Sequence, residues 1–122
     1  MGLASSPALF KMLGTENADS SFSGVTAGTS MPIEIVSNDE LVFYFESLTT
    51  TSGGTLLIEE ASRQNYSGTW SVIATVSASS FTGGVQIAYH VSPNAFAWVR
   101  VRISSAITGG GSVLVFMKKQ GS

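Results

Sequence analysis

Cysteine is absent from the 122 residues. That excludes disulfide frameworks, zinc–thiolate and iron–sulfur sites, and thiol nucleophiles together. It leaves the redox compartment open, because a cysteine-free chain suits either setting. Charge is also scarce. Charged residues make up 11% of the chain, against about 25% in ordinary soluble domains, and the net charge is −2. A surface of this kind lacks the clustered basic footprint that nucleic acid requires, so no nucleic-acid partner is expected. Histidine occurs once, at His90, which is too few for a histidine-based metal site. It reads as a strand-surface residue. No apolar run approaches the roughly 20 residues of a membrane-spanning helix, so no membrane partner is expected. The opening MGLASSPALFKMLG has no charged stretch leading into a long apolar core, which points away from a secretory leader. Met1-Gly2 with Ser6 matches the permissive N-myristoylation pattern, without polybasic support.

Glycine, serine and threonine fill the space that charge leaves. The shortage of charge fits a surface covered by other chains, and equally a β domain with Ser/Thr-rich faces. The length fits one domain with a real core. No 12-residue window carries a 3.6-residue apolar period. Short runs of period-2 alternation instead recur every 8–12 residues between turn signals, which indicates an all-β sandwich or barrel. Residues 1–30 read as a Gly/Ser/Ala/Thr-rich arm. Its apolar members Leu9, Phe10, Met12 and Leu13 would anchor it on its own domain or on a neighbouring subunit. Phe22 to Thr29 reads as a further edge strand.

Residues 31–122 read as the sandwich domain. Ile33 and Ile35 face inward on a short strand. Leu41, Phe43 and Phe45 share one face of the next strand and Val42, Tyr44 and Glu46 the other. Both faces are largely apolar, which marks a central strand. Leu56 and Ile58 face in on the following one. Trp70, Val72, Ala74 and Val76 share a side, as do Val85, Ile87, Tyr89 and Val91, with Ser79 to Gly84 as the turn between. The closing hairpin is the clearest element: Val99, Val101 and Ile103 point inward, and Trp98, Arg100 and Arg102 point outward. Gly109, Gly110 and Gly111 supply the reversal, and Ser112 to Gln120 returns. The count is seven strands and an eighth.

No catalytic constellation emerges. Glu59 and Glu60 are adjacent on a strand, so they face opposite ways and cannot serve one substrate as a carboxylate pair. Asp39-Glu40 lacks the spaced acidic ladder of a calcium loop. The triple glycine lacks the Lys-Ser/Thr and helix of a phosphate-binding loop. Asn65-Tyr66-Ser67 is a formal glycosylation sequon. No enzymatic activity, metal or cofactor is expected. The stripe of Trp98, Arg100 and Arg102 is the surface feature with the composition of an interaction site. It suits contact with a subunit or with the arm, an ordinary surface, or a small-ligand platform that stacks a sugar.

From Gly54 onward, GTLLIEEASRQNYSGTWSVIATVS and then AFAWVRVRISSAITGGGSVLVFM resemble small β-sandwich structural proteins of tailed-bacteriophage virions, of the capsid decoration or cement type. The resemblance implies a single antiparallel sandwich, jelly-roll-like, with an extended N-terminal arm. It implies a non-enzymatic role on the capsid exterior, bridging major capsid protein or other virion subunits, commonly as a trimer. Leu9, Phe10, Met12 and Leu13 of the arm would bury apolar area on the shell or on an adjacent copy. The alternative is a tail or receptor-binding sandwich that recognises a host-surface glycan through Trp98, Arg100 and Arg102.

Overall fold

In the computed structural model, residues 9–16, 22–35, 40–91 and 97–120 are described. The strands, in chain order, are β1 (Leu9–Leu13), β2 (Thr15–Glu16), β3 (Phe22–Ser23), β4 (Gly28–Thr29), β5 (Ile33–Glu34), β6 (Glu40–Leu48), β7 (Gly53–Ala61), β8 (Ser71–Ser77), β9 (Gln86–Val91), β10 (Trp98–Thr108) and β11 (Ser112–Gln120). They form a four-stranded sheet of order β1-β11-β6-β9 and a five-stranded sheet of order β4-β10-β7-β8, with β5 also on β10, beside a small β2-β3 ribbon. Every pairing among the described residues is antiparallel.

The topology follows from nesting. β1 pairs with β11, β4 and β5 with β10, β6 with β9, and β7 with β8. The chain is thus a doubled-back ribbon. Wrapping that ribbon pairs β6 with β11 and β7 with β10 and closes the sandwich. This is a jelly roll.

The inward residues are those that alternation assigns. Leu41, Phe43 and Phe45 of β6 meet Leu56 and Ile58 of β7, Val99, Val101 and Ile103 of β10, and Val113, Val115 and Met117 of β11. β6 is central, and its second face is partly apolar as expected: Val42 is buried, as are Leu114 and Phe116 on the same face of β11, outside the main core.

Four expectations are corrected. The strand count rises, because β4 and β5 are two residues each and too short to show a period. The stretch from Phe22 to Thr29 is not one edge strand: its ends join different sheets, as β3 and β4. Met12 and Leu13 are buried in the chain's own core, so the arm is anchored on its own domain there and these two side chains offer no apolar area to a neighbour. Ser79 to Gly84 is more than a turn. It starts in a 3-10 helix, Ala78–Phe81, that drives Phe81 into the core with its ring centroid 5.8 Å from that of Phe45. The side chains of Leu9 and Phe10 lie outside the described residues, as does Asp39.

One end of the sandwich is knit shut. The Thr51 hydroxyl donates to the Ala78 carbonyl at 3.1 Å, and the Gly84 amide donates to the Ser47 hydroxyl at 2.9 Å. At the same end Gly109 and Gly110 take φ of 102° and 91° in the β10–β11 turn, a region that disfavours side chains. Gly111 serves a different need: a Cβ there would stand 2.5 Å from the Thr50 carbonyl oxygen.

Candidate functional site

The outward face of the five-stranded sheet holds the polar chemistry of the fold. Its centre is Glu59, 2% exposed on β7. Register places Arg100 directly across from Glu59 and Arg102 one step along, across from Leu57. The Arg100 Nε donates to Glu59 Oε1 at 2.9 Å. The Arg102 Nε donates to Oε1 and Oε2 at 3.2 and 3.1 Å, and its Nη2 to Oε2 at 2.9 Å. One carboxylate therefore serves two guanidiniums. The hydrogen bonds to Glu59, helped by its negative charge and opposed by partial burial, hold Arg102 above the ordinary arginine value.

Trp70 completes the cluster. The Arg100 guanidinium lies 4.1 Å from the Trp70 ring centroid, a cation–π contact. The Trp70 Nε1 donates to the Tyr66 carbonyl at 3.0 Å. The Tyr66 ring sits 6.5 Å from that of Trp70, and Arg63 lies 5.1 Å from the far partner, Tyr66. Arg63, Tyr66, Trp70, Arg100, Glu59 and Arg102 thus form one ladder of alternating cations, rings and a carboxylate from the β7–β8 loop across the sheet.

Trp70 reaches this face because of a β-bulge. Ile58 pairs with Ala74, but Glu59 pairs with Val72. The extra residue on β8 resets its alternation. Val72 is therefore 52% exposed, and Trp70 packs on Arg100 rather than joining Ala74 and Val76 in the core. That corrects the expectation that all four share a side. Val85 and Tyr89 on the β9 side also prove exposed, because β9 is an edge strand whose last residue, Val91, is its buried one.

Trp98, Arg100 and Arg102 share the outward face, as alternation expects. Trp98 differs from Trp70. It is partly exposed, and among the described residues neither a ring contact nor a cation contact engages it. Its cross-strand neighbours are Glu34 and Ala61. A shallow open pocket of about 360 Å³ is lined by Glu60, Ala61, Ser62, Ser71 and Ala97; register pairs Glu60 with Val99 and Ser71, which puts Glu60 and Ser71 on the face opposite Trp98. Glu59 and Glu60 therefore diverge, one into the clamp and one into the pocket.

Sequence reasoning separated these two carboxylates but did not connect Glu59 to the arginines. A signal existed: two arginines on one sheet face of a weakly charged chain call for a counter-charge, and Glu59 and Glu60 are the two charged residues of a strand that is otherwise uncharged. Other flagged residues lie elsewhere. His90 is exposed on β9 with its Nδ1 3.6 Å from Glu40 Oε2. Asn65 is exposed in the β7–β8 loop. Among the described residues no three His, Asp or Glu side chains are grouped to hold a metal ion. No helix there is long and apolar enough to cross a membrane.

No protein-family model and no curated protein sequence matches the chain. Its fold is a β-sandwich with counterparts among solved structures. The chain superposes on a solved carbohydrate-binding module from Cellvibrio mixtus lichenase 5A, determined in complex with cellotriose, with a TM-score of 0.51. The identity is 14%, over 95% of this chain and 99% of that one.

Proposed function

We propose that this chain is a glycan-recognising β-sandwich module. The observation that carries the reading is the outward face of the five-stranded sheet, where Trp98 presents a partly exposed ring, not stacked on any other described ring or cation, next to two immobilised guanidiniums. A sugar ring has an apolar C–H face and a hydroxyl rim. A half-exposed indole with polar groups beside it matches both. Glu34, across from Trp98 on β5, and Arg100, two residues along β10, supply an acceptor and donors on the same face. The likeness to a sandwich solved with cellotriose supports the same reading at the level of fold. A capsid-bridging role draws its anchor from the N-terminal apolar residues, and two of these, Met12 and Leu13, are occupied in the chain's own core. Binding here needs no chemical step: the rings are positioned by packing and the guanidiniums by Glu59, so little order is lost when a ligand docks.

The test is a glycan array followed by calorimetry on the purified chain. Saturable binding is expected, weakened at least tenfold in Trp98→Ala, the loss of roughly 1.4 kcal/mol or more that removal of an anchoring aromatic brings. Tyr89→Ala, on the other sheet, should bind as wild type. A blank array at millimolar glycan, or an unaffected Trp98→Ala, would overturn the reading.

A further inference from the structure

We infer that the glycan this face takes is anionic, bearing carboxylate or sulfate groups, an inference that rests on the glycan-binding reading above and narrows its ligand class. The chain has six Lys and Arg residues and a net charge of −2. Three of the six, Arg63, Arg100 and Arg102, lie on the Trp70 ladder. The carboxylate within the ladder is that of Glu59, which is 2% exposed and covered by the arginines it binds. A ligand approaching the ladder meets guanidinium rather than carboxylate. One carboxylate between two guanidiniums leaves an excess positive charge at the clamp, and Arg63 adds another at the end of the stack.

The free donors point the same way. Glu59 engages Arg100 through Nε alone, and Arg102 through Nε and Nη2. Among the described residues, none accepts a hydrogen bond from either Nη of Arg100 or from the Nη1 of Arg102. No buried side-chain nitrogen or oxygen among the described residues lacks a partner, so these nitrogens are reached by solvent. They are held in place, Arg100 between Glu59 and the Trp70 ring and Arg102 by its three contacts to the carboxylate. A planar fork fixed in this way suits paired oxygens of a carboxylate or sulfate, and its ordering cost is met before the ligand arrives.

The spacing suits an oligosaccharide. Trp98, Arg100 and Arg102 follow at two-residue intervals, about 7 Å apart along the strand. A chain of two or three sugars laid along β10 can rest one ring on Trp98 and bring an acidic group to Arg100 or Arg102. The acidic side chain on this track, Glu34, lies at its Trp98 end. It favours a neutral ring over Trp98 with the acidic group directed toward Arg102.

The experiment is calorimetric titration of the full chain with four probes of matched length: an oligogalacturonate, a sulfated oligosaccharide, neutral cello-oligosaccharide, and single-stranded oligothymidylate. Each is run at about 20 mM and 300 mM NaCl, spanning weak to strong screening. One or both acidic saccharides should bind at least tenfold tighter than the neutral one at low salt, with most of the difference lost at high salt. The two acidic arms identify carboxylate or sulfate as the preferred group. Arg100→Lys keeps the charge and removes the fork, and should cut the preference severalfold. Arg63→Gln, at an exposed position with only a ring contact, gives a second reading where repacking of Trp70 in Arg100→Lys alters the near-UV circular dichroism. Equal or better binding of the neutral saccharide would overturn the inference and leave the glycan module standing. No saccharide binding at all would remove both. Tighter binding of the oligonucleotide than of any saccharide would overturn the inference in favour of a nucleic-acid surface.

Discussion

Replacing Glu59 with alanine tests whether the clamp holds the outward face together. In the intact protein four N–H···O contacts of 2.9–3.2 Å converge on a carboxylate that is 2% exposed. Glu59→Ala leaves two guanidiniums facing each other without a counter-charge. Removing one partner of a fully buried pair costs about 3–5 kcal/mol. Here Arg100 and Arg102 keep 21% and 38% of their side-chain surface in water, so both recover hydration and can move apart. The cost falls to about 2–3 kcal/mol once that screening is allowed for. At an unfolding entropy of about 2.1 cal/mol/K per residue, the melting temperature of a 122-residue chain should drop by about 10 °C. Thermal melts and urea titrations followed by tryptophan fluorescence measure this directly. The fluorescence of the folded state should change as well, since Arg100 is released from Trp70. Glu59→Gln, which keeps the shape and one acceptor, should cost about half as much. A Glu59→Ala protein within about 0.5 kcal/mol of wild type would refute the reasoning, because that is the range of an unremarkable surface change.

Three further outcomes follow. Gly109→Ala should destabilise by about 2–3 kcal/mol and Gly110→Ala by about 1, because both have positive φ but only Gly109 has a backbone atom, the Ser52 nitrogen, 2.6 Å from its added Cβ; equal losses in urea would contradict this. Arg102 is raised above its ordinary value, so its contribution is fully present below the unfolded arginine value and is lost only as pH climbs through the raised one; the stability gap between wild type and Arg102→Gln should therefore be flat between about pH 7 and 10, and a gap that shrinks over that span would reject the assignment. Leu13→Ala should cost about 2–4 kcal/mol as a core truncation, whereas a melt like that of wild type would place the side chain outside the core.

Much of the fold was legible because β6, β7 and the first half of β10 alternate without interruption. Val99, Val101 and Ile103 could be assigned inward from their own strand alone, and Trp98, Arg100 and Arg102 outward. What joins the site was not legible in the same way. Glu59 meets Arg100 through the register of two strands some forty residues apart, and register is a property of the pair rather than of either strand. Trp70 was misplaced because the bulge beside Ile73 carries no glycine or proline to mark it. Leu13 read as an anchor on either its own domain or a neighbour, and the choice was not legible because its partner strand, β11, comes at the other end of the chain. Phe81 sat among serines in what read as a polar turn, yet its ring fills the core.

The position of the last two strands has a consequence for how the protein is made. β11 lies between β1 and β6, and β10 lies between β4 and β7, so an interior strand of each sheet is the last strand of that sheet to leave the ribosome. Until then β6 and β7 have neighbours on one side only, and the core around Phe43, Phe45, Leu56 and Ile58 lacks the side chains that β10 and β11 contribute. At about 5–20 residues per second, the nascent chain spends several seconds with unpaired strand edges in a topology that already folds slowly through distant contacts. Loss of β11 would then remove the seam of one sheet rather than fray its edge, leaving a chain prone to pair with other copies of itself.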